Sequence, residues 1–226
     1  MKSEEYIMRM RKKKHFNERL ENCAQLWIKE PETMKGQWNK LFCNDNPIHI
    51  EIGCGKGQFI CTMAQNNPEI NYIAIDVVPD VLVLALEKAS TMQIKNVRFI
   101  IADAAKLCDY FEFDEIKQIY LNFSDPWKKS RQAKRRLTHK NFLDVYKHLL
   151  KNGNLICFKT DNRQLFEFSL NSFAQENFKM QNITLDLHNS SFEGNVMTEY
   201  ETRFAQMGMP IYRLEAKYIG WEENNS

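Results

Sequence analysis

From Pro47 onward, short apolar runs alternate with amphipathic stretches. Ile48-His-Ile-Glu-Ile52 reads as a strand, followed by glycines and a helix through Phe59 and Met63. Tyr72-Ile-Ala-Ile75 predicts a second strand, and Pro79 opens a helix running through Leu86. Val97-Arg-Phe-Ile-Ile101 predicts a third strand, and Gln118-Ile-Tyr-Leu121 a fourth. Thr138 is read as the cap of a helix that sets Phe142, Val145, Tyr146, Leu149 and Leu150 on one face. Gly153 is read as the stop of that helix, with Leu155-Ile-Cys-Phe158 as a fifth strand. Two more strands are expected around Ile183 to Leu187 and Ile211 to Tyr218.

Strands and helices alternating this regularly imply right-handed crossovers and a mainly parallel sheet with helices on both faces. The expected class is therefore α/β, Rossmann-like, with seven strands. Residues 1–46 read as a basic, helical and irregular extension in which Trp27 and Trp38 are packing anchors. Residues 47–221 read as one globular domain, and a chain of 226 residues suits a single well-buried core.

Composition narrows the function classes. Hydrophobic residues at 43% and charged residues at 27% describe an ordinary globular chain. The six cysteines form no CxxC pair and no cluster with zinc spacing, so a metal centre is not expected. Most of them sit among apolar neighbours, which suits reduced, buried thiols. The longest apolar run, Val81 to Leu86, cannot span a bilayer, and the charged N-terminus lacks a signal-peptide core. A cytoplasmic, non-membrane protein is expected. The net charge of +2 is modest, but its distribution is not. Arg9, Arg11, Lys12, Lys13 and Lys14 form one basic cluster. Lys128 to Lys140 holds seven Lys or Arg and no acid. Such a block beside a candidate catalytic carboxylate, Asp125, suits a polyanionic substrate.

Each of the first five expected strands ends at or next to an acid: Glu51, Asp76, Asp103, Asp125 and Asp161. One such acid is often only a cap, and Asp161-Asn-Arg-Gln164 does resemble a capping box. Five on one sheet edge favour a ligand rich in hydroxyl and amino donors or positive charge. Ligands of such sheets bind at the strands' carboxyl ends. There Gly53-Cys-Gly-Lys-Gly57 joins strand to helix as a nucleotide-binding loop does. The dinucleotide fingerprint fails at Gln58, and the P-loop pattern fails because Gly57 follows Lys56. What fits is GxGxG with Asp76 nineteen residues beyond it, placed to bind a ribose. S-adenosyl-L-methionine, with a sulfonium and an amino group but no phosphate, meets these requirements.

Glu51-Ile-Gly-Cys-Gly-Lys-Gly57, Asn122-Phe-Ser-Asp-Pro-Trp127 with its basic continuation, and Thr198-Glu-Tyr-Glu201 together resemble the bacterial tRNA (guanine-N7)-methyltransferase family. The likeness runs in order from about residue 35 to 220. It implies a class I methyltransferase fold and methyl transfer from S-adenosylmethionine to a guanine N7 in the tRNA variable loop. Carried over by position, it implies that Glu51, Asp76, Asp103 and Asp125 line the cofactor site, with Gly53, Gly55, Gly57 and Ala104. Lys129, Asp161, Thr198, Glu199, Tyr200 and Glu201 would meet the substrate. Arg131, Lys134, Arg135 and Arg136 would contact RNA. Asp125 is the candidate catalytic residue, stabilising the charge that develops on the base. Two family prolines are replaced here by Ser124 and Lys128, and Asp76 stands where Glu is common.

Other readings remain open at this level. Asp125-Pro-Trp127 is also a plain turn, Thr198 to Glu201 also a capping box for a helix through Phe204 that ends at Gly208, and Trp127 a packing wedge or a stacking platform. No histidine has an evident partner. The competing functions are methylation of an exocyclic adenine amine and RNA binding by a non-catalytic methyltransferase-like subunit. The sequence leaves monomer and homodimer equally open.

Overall fold

A computed structural model of the protein describes residues 16–220. The basic cluster from Arg9 to Lys14 lies outside them. Seven strands form one sheet: β1 Ile48–Ile52, β2 Asn71–Asp76, β3 Val97–Ile101, β4 Ile116–Asn122, β5 Leu150–Thr160, β6 Phe178–Thr184 and β7 Tyr212–Tyr218. The spatial order is β3-β2-β1-β4-β5-β7-β6. The first five strands run parallel, and β7 is antiparallel to both β5 and β6.

Period-two alternation divides the sheet's side chains between two cores. Ile50, Ile73, Ile119 and Phe158 point to one face. Tyr72, Ala74, Phe99 and Tyr120 point to the other. The first face packs against α2 (Trp38–Phe42), α5 (Leu107–Tyr110), α6 (Lys140–Leu149) and α7 (Arg163–Gln175). The second packs against α1 (Phe16–Glu21), α3 (Gln58–Asn66) and α4 (Pro79–Thr91). A last helix, α8 (Glu199–Gln206), follows the long connection from β6. The described part of the early segment, from Phe16, packs on this body. Trp38 is fully buried and donates its indole N–H to the Tyr110 carbonyl at 3.0 Å, while Trp27 bridges to Phe99 beside β3.

Three local expectations are corrected. The cap of α6 is His139, whose Nδ1 accepts from the Asn141 N–H; Thr138 is buried one residue earlier and bonds Ser169 instead. Gly153 does not stop that helix. α6 passes directly into β5, and Gly153, with φ of +90°, turns a bulge where Leu150 pairs Ile116 but Leu155 pairs Gln118. The sixth strand ends at Thr184, and Leu187 opens a short 3₁₀ turn. Ile183 and Leu185 are exposed there, so their apolar pattern does not mark a buried strand.

Candidate functional site

The strand order reverses between β1 and β4, and the carboxyl ends of β1, β2 and β4 surround that switch point. The glycine loop is fixed to β2, because the amides of Gly53 and Cys54 both donate to the Ile75 carbonyl, at 2.8 and 3.0 Å. The Asp76 carboxylate ties the loop to the start of α4, accepting from Gly55 N–H and Val78 N–H at 2.9 Å each. Burial pushes its pKa up, and these amides oppose the shift. The glycines differ in purpose. A Cβ on Gly53 would meet nothing within 4 Å, whereas one on Gly57 would lie 2.7 Å from Ala85 Cβ. Gly53 therefore leaves the space above the loop open, and Gly57 lets α3 approach α4.

Two cavities meet over this loop, sharing Gly53, Asn122 and Phe123. The first, about 520 Å³, has apolar walls that include Ile75 and Val77 and presents Asp76, Asp103 and Asp125. Its side residue Ala104 is buried in the turn that Asp103 caps by accepting from the Ala105 N–H. The second, about 340 Å³, is bounded by Glu51, Gly55, Thr198, Glu199 and Tyr200. Glu51 is 1% exposed. Its Oε1 accepts from Asn122 Nδ2 at 2.8 Å, and its Oε2 has no partner within the protein. Burial pushes this carboxyl up to about 8, against the hydrogen bond from Asn122 and the charge of Lys159. It is therefore mostly a neutral acid at pH 7 in the free protein.

After β4 the chain bends through Phe123 and Trp127, both at positive φ (+53° and +41°), with the exposed Asp125 between them at the rim of the first cavity. Arg135 covers the Trp127 ring at 4.8 Å, so Trp127 is packed by a cation within its own loop. On the opposite rim, Thr198 caps α8 by accepting from the Glu201 N–H at 2.9 Å. Glu199 pairs with Lys88 at 2.6 Å. Tyr200 lies between Phe123 and Phe204, with ring centroids 5.2 and 4.4 Å away.

The structure does not gather every residue singled out in the sequence. Glu201 has no exposure and lies outside both cavities. Its carboxylate accepts from Lys159 and Asn195 at 2.7 Å each, rather than reaching back to close the capping box. Asp161 and Lys129 also line neither cavity. Asn162, not Asp161, caps α7. Gly57 is a packing glycine. The four described histidines do have partners: His49 the Tyr120 hydroxyl, His139 the α6 cap, His148 the Phe113 ring in a T-shaped contact and His188 the nearby Glu201. Burial lowers His49 to about 4, so it is neutral. Asn122, Lys159 and Lys88 went unassigned in the sequence. A lysine at the end of the apolar run Leu155-Ile-Cys-Phe-Lys159 was the available signal, since a buried lysine requires a partner. Among the described residues, no group of three His, Cys, Asp or Glu could hold a metal, and no helix is long and apolar enough to cross a membrane.

The family model described as "Putative methyltransferase" matches residues 45–214. The tRNA (guanine-N(7)-)-methyltransferase of Listeria monocytogenes serovar 1/2a is 56% identical over 211 residues, covering 93% of this chain and 99% of that protein. The protein of the same description from Streptococcus equi subsp. zooepidemicus is also 56% identical, covering 93% of this chain and all of its own length. Among solved structures, the 16S rRNA methyltransferase KamB superposes with a TM-score of 0.61 at 12% identity, covering 82% of this chain and 94% of that one. An antibiotic-related methyltransferase gives 0.60 at 17%, with the same coverage. At those identities the likeness is one of fold, and the fold is that of class I methyltransferases. The sequence relatives say more: the chain belongs to the tRNA (guanine-N(7)-)-methyltransferase family.

Proposed function

We propose that this chain transfers a methyl group from S-adenosylmethionine to N7 of a guanine in tRNA. The observation that carries this reading is the meeting of the two cavities at Gly53, Asn122 and Phe123, with Asp76, Asp103 and Asp125 lining the first and Glu51, Glu199, Tyr200 and Arg203 lining the second. The residues present fit the donor. Apolar walls in the first cavity suit an adenine, and Asp76 suits ribose hydroxyls. The buried, unpartnered Glu51 Oε2 suits an amino group. Carboxylates at the mouth disfavour a pyrophosphate. When bound, S-adenosylmethionine supplies an electrophilic methyl carried on a sulfonium.

The acceptor side follows from the chemistry of the base. Guanine N7 has an in-plane lone pair and no proton, so the protein need not supply a general base. Its task is alignment, which the aromatic faces of Phe123 and Tyr200 can provide by stacking. The base gains positive charge as the new N–CH₃ bond forms and the S–CH₃ bond breaks, with that electron pair leaving on sulfur. The Asp125 carboxylate would favour the developing cation. The exposed Arg131 and Lys134, with Lys128 and Lys129, offer a phosphate-binding surface beside the first cavity. The variable-loop position of the guanine rests on family resemblance alone.

The experiment is methyl transfer from labelled S-adenosylmethionine to unmodified tRNA, followed by nuclease digestion and nucleoside identification. Label in 7-methylguanosine is expected; label in an adenosine derivative would overturn the acceptor. Asp125→Ala should lower turnover by on the order of 10²-fold, as loss of one electrostatic stabiliser does. Near-normal turnover with cofactor binding intact would remove Asp125 from the chemistry.

A further inference from the structure

The basic run contains a residue whose charge does not face outward. Arg136 is half-buried, and its guanidinium donates from Nε to the Pro126 carbonyl at 3.0 Å and from Nη2 to the Trp127 carbonyl at 3.2 Å. The same group lies over the Phe168 ring of α7, 4.4 Å from its centroid. These contacts grip the segment that follows β4, which carries Asp125 and forms part of the first cavity.

That segment needs an outside restraint. It has no ladder partner between Ser124 and Lys128, and its one proline is Pro126. Phe123 and Trp127 hold positive φ without being glycine, conformations that persist only where surrounding contacts impose them. A planar fork bonding two successive carbonyls while stacked on a ring is a geometry that arginine supplies and lysine does not. We propose that Arg136 is a positioning residue: it pins the Asp125 loop to α7 and does not serve as an RNA contact. The basic run thus divides by direction. Arg131 and Lys134 face solvent, Arg135 covers Trp127 and Arg136 turns inward.

This inference deepens the methyl-transfer reading, but two of its three readouts do not depend on that reading. Full-length wild type, Arg136→Ala, Arg136→Lys and Phe168→Leu would be compared by hydrogen exchange of the peptide over residues 122–129, by tRNA affinity against salt, and by turnover. In Arg136→Ala, exchange of the loop amides should quicken by on the order of 10-fold or more, since local opening sets their protection. Turnover at saturating tRNA should fall on the order of 10- to 100-fold through misplacement of the loop. The salt slope of tRNA binding should stay at the wild-type value. Arg136→Lys should restore little, because an ammonium lacks the fork. If Arg136→Ala fails to fold, Phe168→Leu removes the stack but keeps an apolar side chain, and should quicken the same amides to a lesser degree. Unchanged exchange overturns the proposal. So does a salt slope shallower by ~0.7–0.9, the change expected when one phosphate is no longer neutralised. Should wild type transfer no methyl group, the function would fall while exchange and binding still decided the role of Arg136.

Discussion

Glu51 links the site to the stability of the fold. Its carboxyl is pushed up to about 8 in the folded protein, whereas an unfolded glutamate titrates near 4.5. Between those values the folded state holds the proton and the unfolded state does not, so the contribution of Glu51 to stability is greatest below about pH 4.5 and falls as pH rises toward 8. Glu51→Gln removes this group and should flatten the decline in unfolding temperature across that window, a change on the order of a few kcal/mol. An unaltered pH profile would show that Glu51 is ionised in the folded protein. The glycines give a second comparison at this scale. Gly57→Ala should destabilise by about 2–4 kcal/mol, combining a positive φ with overlap on Ala85. Gly53→Ala carries the same positive φ without the overlap, so it should destabilise less, by about 1–2 kcal/mol, and should also weaken cofactor binding because its new methyl enters the cavity. The sequence made the carboxylates and glycines visible as types at strand ends. It did not separate Gly53 from Gly57, because that difference lies in whether a neighbouring helix or a ligand occupies the space above.

At the scale of elements, α8 is held in place by a buried ion pair. Lys159 at the end of β5 donates to Glu201 at 2.7 Å, and both side chains are almost fully buried. Burial lowers the Lys159 pKa, against the pull of Glu201. Glu201→Ala leaves that ammonium without its carboxylate and should cost about 3–5 kcal/mol, read as a fall in unfolding temperature. Thr198→Ala should cost only about 1 kcal/mol, the loss of one cap. Equal losses would mean that α8 is fixed mainly by its cap. The Thr198 cap was legible because Ser or Thr three residues before Glu is a local pattern. The role of Glu201 was not, since its partner stands 42 positions away in the chain. Long-range pairing also explains the misread β6. Its place is set by antiparallel bonds to β7, not by its own apolar pattern.

For the whole molecule, the parallel strands were readable from short runs of β-branched and aromatic residues, unbroken over residues 72–75, 119–121 and 155–158 and interrupted by single polar residues in β1 and β3. The edge from β7 to β6 is half-exposed and carries a weaker signal. The fold brings two cavities to a shared boundary at Gly53, Asn122 and Phe123, and Arg131 and Lys134 are exposed on the segment that follows β4. Neutralising Arg131 and Lys134 should lower the salt slope of tRNA binding by up to ~0.7–0.9 for each phosphate they neutralise in the wild type, with cofactor affinity unchanged. The most direct test of the whole account acts on one atom of the acceptor. Two tRNA transcripts, one with guanosine and one with 7-deazaguanosine throughout, would be offered to the wild-type protein with labelled S-adenosylmethionine. Label in the first and none in the second, at comparable tRNA affinity, is the expected result. Equal label in both would contradict the assignment of guanine N7.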